Sequence, residues 1–149
     1  MIIYDVSTDS AAQTLQIADL FVKNVLLNIL QPEANIIYLI GDLGSGKTTF
    51  MRGILSSFGF DGPVKSPTYT IVETYPKLTI PIYHFDLYRL ERANELELIG
   101  IRDYLHDKSI CCFEWPDKGF GHIPDPDFTV QLDILGDDSR QIIINANKK

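Results

Sequence analysis

Residues 36–48 have the sequence I-I-Y-L-I-G-D-L-G-S-G-K-T, an apolar run followed by a glycine-rich turn. Five apolar residues in a row are typical of a central strand that is buried on both faces. Gly41–Thr48 fits the pattern G-x-x-x-x-G-K-[ST], whose glycines let successive backbone N–H groups point at one phosphate. Apolar residues at Met51, Ile54 and Phe58 then predict a helix, whose positive N-terminal end would face the same anion. The sequence therefore predicts a strand, a phosphate-binding loop and a helix.

Two side chains of this loop have predicted roles in holding a nucleotide. Lys47 supplies a mobile cation for the β and γ phosphates, and Thr48 offers a hydroxyl to Mg²⁺. We expect the Lys47 side chain to face solvent when no ligand is bound, so that its replacement would leave the fold intact.

The remaining pattern predicts one α/β domain over residues 1–149, with three layers, a mixed parallel and antiparallel sheet and a C-terminal β-hairpin. Its helices are an N-terminal one, capped by Ser10 with Gln13, and one over Glu91–Asp107 that is broken at Gly100. The other predicted strands are Ile2–Val6, Thr68–Tyr75, Thr79–Phe85, Ser109–Phe113, Phe128–Ile134 and Gln141–Ala146. A loop is predicted over Pro116–Pro126, and Pro81 suggests a sheet edge or a bulge.

The composition excludes several classes of protein. The chain has 13 Lys and Arg against 20 Asp and Glu, a net charge of -7, which argues against a large direct nucleic-acid interface. Its apolar fraction of 45% excludes a disordered chain. The longest apolar runs fall short of the roughly 18 residues of a membrane span, and the first residues do not resemble a signal peptide. Cys111 and Cys112 are adjacent, so we expect reduced, buried thiols and a cytoplasmic protein.

Two acidic residues each follow an apolar strand and are candidates for catalysis. Ligands of an open α/β sheet lie beyond the carboxyl ends of its parallel strands, which is where Asp86 and Glu114 are expected. Glu114 is the favoured ligand of the metal or of its water, and Asp86 is the second choice, as a base or a supporting acid. Ser66-Pro67-Thr68 is either a nucleotide-sensing switch or an ordinary turn. Trp115 either stacks near the nucleotide or anchors its loop.

These segments together resemble the TsaE (YjeE) family of P-loop ATPases, which act in bacterial tRNA threonylcarbamoyladenosine synthesis. The resemblance rests on Gly41–Thr49, on S-P-T at 66–68, on H-F-D-L-Y-R at 84–89 and on E-W-P at 114–116. It extends over about residues 8–146. Ser45 stands where the family usually has alanine, and residues 117–123 are less typical of the family.

The resemblance implies an ATP-hydrolysing subunit that uses ATP and Mg²⁺. Its implied catalytic residues are Lys47, Asp86 and Glu114, with Asp86 essential for hydrolysis, Thr48 and Glu114 near the metal, and Thr68 in a switch-like loop. Predicted nucleotide contacts are Gly41, Asp42, Leu43, Gly44, Ser45, Gly46, Lys47, Thr48, Thr49, Thr68 and Trp115. The implied partners are TsaD and TsaB, which this subunit would reset between turnovers, so that it meets tRNA only through the complex and needs no membrane.

Two other functions are alternatives to this one. A small-molecule or nucleotide kinase commonly clusters arginines around an acceptor phosphate. The five arginines here, at 52, 89, 92, 102 and 140, form no cluster in the sequence. A GTPase-like switch would carry N-K-x-D after a strand, and Asn147-Lys148-Lys149 lacks the Asp. Both patterns favour the ATPase, which we expect to be slow alone and activated by partners.

Overall fold

The computed structural model describes residues 1–67, 69–105 and 107–147. Seven strands form one mixed sheet in the order β1-β7-β6-β2-β5-β4-β3. The strands are β1 (Ile2–Thr8), β2 (Ala34–Ile40), β3 (Val72–Tyr75), β4 (Ile82–Asp86), β5 (Ser109–Glu114), β6 (Phe128–Ile134) and β7 (Arg140–Ala146). The predicted α/β class, mixed sheet and C-terminal hairpin are confirmed.

β2 lies at the centre of the sheet and pairs along both of its edges. It pairs in parallel with β5 on one side and with β6 on the other. β4 also runs parallel to β5, and the register places Asp86 beside Glu114. Three parallel strands, β2, β5 and β4, thus end together at the edge where the phosphate-binding loop begins.

Among the described residues, four α-helices complete the three layers: α1 (Ala11–Asn24), α2 (Lys47–Ser57), α3 (Glu95–Leu98) and α4 (Ile101–Leu105). α1 and α2 pack on one face of the sheet, over a core that includes Phe21, Phe50 and Phe128. α3 and α4 pack on the other face, over a smaller core. Cys111 and Cys112 are fully buried and belong to these two different cores, as the alternation of a strand predicts.

The predicted helix signals have clear structural counterparts. The hydroxyl of Ser10 accepts a hydrogen bond from the backbone N–H of Gln13, at 3.2 Å. The Gln13 side chain in turn accepts one from the backbone N–H of Asp9, at 2.6 Å. The first bond satisfies an N–H group that the first turn of α1 cannot bond internally, and the second ties the residue before the N-cap to the helix. The break predicted at Gly100 separates α3 from α4, where Gly100 has a φ of 74°.

The structure corrects several predictions, the first being that the helix expected from Glu91 begins at Glu95. β3 begins at Val72, because Ile71 has a φ of 70°, which ends extended pairing before it. β4 begins only after Pro81, which is neither an edge nor a bulge; its carbonyl accepts a hydrogen bond from the Ile110 N–H at 2.9 Å. The predicted loop over Pro116–Pro126 opens with a short 3-10 helix over Pro116–Gly119. Thr68 and His106 lie outside the described residues.

The helices of residues 1–67, 69–105 and 107–147 are all too short or too polar to span a bilayer.

Candidate functional site

The phosphate-binding loop links the end of β2 to the first residue of α2. Gly44 and Gly46 have φ values of 82° and 105°, in the left-handed region that favours glycine. Gly46 caps α2 directly, so the N-terminus of that helix faces the loop. The loop therefore presents backbone N–H groups and a helix N-terminus together, which is the arrangement that binds phosphate.

Lys47 is buried, with only 6% of its surface exposed, so the prediction of a solvent-facing side chain is wrong. Its ammonium donates a hydrogen bond to the Gly41 carbonyl at 2.6 Å and lies 3.7 Å from the Glu114 carboxylate. It also lies 4.1 Å from the centre of the Trp115 ring. Burial lowers the pKa of Lys47, while the negative charges of Glu114, Asp86 and Asp42 oppose that shift. The ammonium is therefore held by internal contacts rather than by water.

Glu114 is held from its other side by a residue that the sequence analysis did not select. Its Oε2 lies 2.5 Å from Nε2 of His84, which is fully buried on β4. A carboxylate can only accept, so Nε2 is the donor. Within the described part of the chain, Nδ1 of His84 has no hydrogen-bond partner. His84 precedes Asp86 by two residues and so shares its face of the strand, but this spacing alone does not reveal the bond to Glu114 on the neighbouring strand.

Asp86 lies at the end of β4 and is also held on both oxygens. Its Oδ2 accepts a hydrogen bond from the Ser66 hydroxyl at 2.9 Å, and its Oδ1 accepts one from the Tyr88 N–H at 3.0 Å. Asp86 and Glu114 are 5% and 3% exposed, respectively. The two acids thus meet at the carboxyl ends of adjacent parallel strands, and the predicted S-P-T segment reaches Asp86 through Ser66. Thr68 of that segment lies outside the described residues.

Trp115 forms a wall of the site. Its backbone has a φ of 55° and a ψ of 52°, left-handed values that are uncommon for a non-glycine residue. This conformation turns the chain sharply after β5 and places the indole over Lys47. The ring centre lies 5.1 Å from that of Tyr88. Trp115 therefore packs on the cationic side chain of the loop, and its contact with a nucleotide stays a prediction.

A cleft of about 550 Å³ brings most of the predicted residues together. It is lined by Leu43, Gly44, Gly46, Lys47, Thr48, Thr49, Ser66, Asp86, Tyr88, Glu114, Trp115 and Arg140. Gly41 and Asp42 instead line a second cavity of about 530 Å³ on the other side of Trp115, together with the end of β6. Ser45 is buried beneath the loop at 1% exposure. Arg140 is a second residue that the sequence analysis did not assign to the site.

Comparison with known proteins matches residues 8–142 to the family described as "Threonylcarbamoyl adenosine biosynthesis protein TsaE". The chain is similar to the tRNA threonylcarbamoyladenosine biosynthesis protein TsaE of Haemophilus influenzae, at 52% identity over 122 residues, 82% of this chain and 77% of that protein. It is similar to the protein of the same name from Bacillus subtilis, at 37% identity over 112 residues, 75% of this chain and 70% of that one.

A solved structure supports the same relationship. The crystal structure of Bacillus subtilis YdiB superposes with a TM-score of 0.77 at 28% identity, and the match covers 99% of this chain and 88% of that one. The fold, the order of the motifs and the sequence similarity agree over most of the chain. The chain belongs to the TsaE family of threonylcarbamoyl adenosine biosynthesis proteins.

Proposed function

We propose that this chain is an ATPase of tRNA threonylcarbamoyladenosine biosynthesis, which binds Mg²⁺ and ATP at Gly41–Thr49 and resets a TsaD–TsaB complex between turnovers. One observation carries the proposal: the buried ammonium of Lys47 lies between the phosphate-binding loop and the carboxylate of Glu114, 3.7 Å away. A loop that binds phosphate needs a cation at that place, and phosphoryl transfer needs strand-end acids beside it.

The donor chemistry of the cleft fits a magnesium–nucleotide complex. Mg²⁺ prefers oxygen ligands and usually takes only one or two from the protein, with waters and phosphate oxygens supplying the rest. The described residues hold no group of three or more His, Cys, Asp or Glu that could bind a metal alone. Thr48 and Glu114 would hold the ion, and when bound it would neutralise charge on the β and γ phosphates.

The residues of the chain would act mainly by positioning. Lys47 would donate to a phosphate oxygen, because its ammonium has three N–H donors and the Gly41 carbonyl occupies only one of them. Asp86 would orient or deprotonate the attacking water, with its carboxylate fixed by Ser66 and by the Tyr88 N–H. Trp115 would keep water away from Lys47. Each step uses a side chain that is already held in place, which is what catalysis by positioning requires.

The same cleft lacks an arginine that is free to contact the γ-phosphate among the described residues. Arg140 donates from all three nitrogens to backbone carbonyls, and the Arg89 guanidinium lies over the Tyr69 ring at 4.4 Å. An arginine or other group supplied in trans raises phosphoryl-transfer rates by roughly 10³–10⁵ in related chemistry. We therefore expect slow hydrolysis by the isolated protein and stimulation by TsaD and TsaB.

The proposal is tested by measuring steady-state phosphate release from ATP and from GTP, with and without the TsaD–TsaB pair. We expect slow release from ATP without an acceptor, no preference for GTP, and stimulation that saturates with partner concentration. Lys47→Ala should abolish release, whereas Lys23→Ala, a surface lysine paired with Asp19 on α1, should not. A Lys47→Ala protein that still hydrolyses ATP, or a high rate that partners leave unchanged, would contradict the proposal.

The two acids are separated by a second measurement. Glu114→Gln should weaken nucleotide binding that depends on Mg²⁺, because it removes a charge near the predicted metal position. Asp86→Ala should weaken binding less than Glu114→Gln does and should still abolish turnover. A titration of Mg²⁺ at fixed nucleotide concentration distinguishes the variants, and the opposite ranking would exchange the roles of the two residues.

A further inference from the structure

Arg140, the first residue of β7, joins the turn between β6 and β7 to the phosphate-binding loop. Its Nε donates to the Ser45 carbonyl at 3.1 Å, and its Nη2 donates to the Gly44 carbonyl at 3.0 Å. Its Nη1 donates to three carbonyls of its own turn, those of Gly136, Asp137 and Ser139, at 3.0, 3.2 and 2.9 Å. One guanidinium therefore fixes two backbone segments to each other.

These contacts fix the orientation of two peptide units in the loop. The described residues contain no cis peptide, so each carbonyl points away from the N–H of the residue that follows it. Holding the Ser45 carbonyl toward Arg140 directs the Gly46 N–H to the opposite side, away from the arginine. The peptide unit between Gly44 and Ser45 is held at both ends. Its carbonyl accepts from Arg140, and its N–H, that of Ser45, donates to the Asp42 carbonyl at 3.0 Å.

Holding the backbone in place matters in this loop because it is rich in glycine. Gly44 and Gly46 adopt left-handed conformations, and glycine loses more conformational freedom on ordering than any other residue. A loop that is ordered before the ligand arrives binds more tightly, because less entropy is lost on binding. Arg140 also forms none of the ion pairs found among the described residues, so no carboxylate neutralises its charge beside the loop.

We propose that Arg140 is a positioning residue for phosphate binding: it acts through the backbone of Gly44–Gly46 and holds the loop in its anion-binding conformation before nucleotide arrives. The inference rests on the proposed function for its ligand. The ordering of the loop in the ligand-free protein is a separate property that can be measured alone.

The test compares Arg140→Gln and Arg140→Lys with the wild type and with Arg102→Gln. Arg102 is a matched control, because its side chain is 79% exposed and pairs only with Glu97 among the described residues. Hydrogen exchange of the Ser45 amide is measured without nucleotide, and affinity is measured with Mg²⁺ and ATP. For Arg140→Gln we expect Ser45 to exchange at least about tenfold faster and ATP to bind about tenfold more weakly, the scale of a lost charged hydrogen bond.

Arg140→Lys separates positioning from charge. Lysine keeps the positive charge but lacks the planar guanidinium, whose nitrogens reach both the loop carbonyls and those of the β6–β7 turn. We therefore expect faster Ser45 exchange in this variant as well. Wild-type exchange and affinity in Arg140→Lys would show that only the charge matters, and unchanged Ser45 exchange in Arg140→Gln would overturn the proposal. If Arg140→Gln folds poorly, Ser45 exchange in Arg140→Lys still tests the positioning role. A wild-type protein that binds no ATP would refute the proposed function, whereas the Ser45 exchange would still test the positioning.

Discussion

Replacement of Lys47 by methionine tests the electrostatics of the site without any ligand. Methionine keeps most of the aliphatic volume, so the change removes the charge without opening a large cavity. It leaves the buried Glu114 carboxylate without the ammonium 3.7 Å away. The variant should therefore be less stable than the wild type, contrary to what a solvent-facing lysine would give.

The size of the loss follows from the geometry. Removing one partner of a buried ion pair costs about 3–5 kcal/mol. We expect about 3 kcal/mol, the lower end of that range, because Oε2 of Glu114 keeps its hydrogen bond to His84 and the ion-pair distance exceeds that of a direct hydrogen bond. For a domain of this size that loss lowers the melting temperature by about 6–12 °C.

The assay is urea unfolding followed by circular dichroism, in buffer free of nucleotide and divalent cations. Glu114→Gln and the double variant Lys47→Met/Glu114→Gln complete a double-mutant cycle. Its coupling free energy should be about 1–2 kcal/mol, because the two groups are direct neighbours. Lys23→Met is the control: its pair with Asp19 is exposed and contributes less than about 0.5 kcal/mol. Equal stability of Lys47→Met and the wild type, or additive effects in the cycle, would refute the reasoning.

Three further predictions concern the fold around the site. Ser45→Ala should raise the free energy of unfolding by about 1 kcal/mol in urea, because its hydroxyl is buried without a partner among the described residues; a clear loss would contradict this. Gly53→Ala should lower it by about 2 kcal/mol, since a Cβ there would lie 2.5 Å from Cβ of Ala18, and a neutral result would show that α1 and α2 can separate. A thiol reagent at pH 8 should modify Cys111 and Cys112 only after unfolding, because both are buried and burial raises the pKa of Cys111 to about 12.

Most of the fold could be predicted because its signals are local. The apolar run at 36–40 predicted the central strand, and period-two alternation predicted β6 and its hairpin partner β7. The failed boundaries of β3 and β4 depend on single backbone features. The left-handed φ of Ile71 leaves no trace in a sequence that is otherwise rich in β-branched residues. Pro81 predicted an edge or a bulge within the strand. The structure shows instead that β4 begins after Pro81, whose carbonyl accepts a hydrogen bond from the Ile110 N–H.

The residues of the site likewise fall into those that a local pattern predicts and those that depend on distant contacts. The loop and the two strand-end acids could be predicted, since a motif and a rule of sheet topology place them. His84 and Arg140 could not, because their roles depend on contacts across 30 and 95 residues, respectively. Nothing in the local sequence distinguishes a histidine that bonds a carboxylate from one that fills a core. The burial of Lys47 was missed for the same reason: Trp115 covers it only because of an unusual backbone turn.

The contacts around Lys47 also bear on the proposed need for a divalent cation at this site. Without a ligand, one ammonium faces two buried carboxylates, Glu114 and Asp86, so the local charge is already negative. A nucleotide would add further negative charge within the same cleft, where burial weakens screening by water. Lys47 carries a single positive charge, which cannot neutralise both the two acids and the phosphates. We therefore expect phosphate binding here to depend on Mg²⁺ more strongly than it would at a loop without buried acids beside it. The ion would relieve the repulsion between the acids and the incoming phosphates.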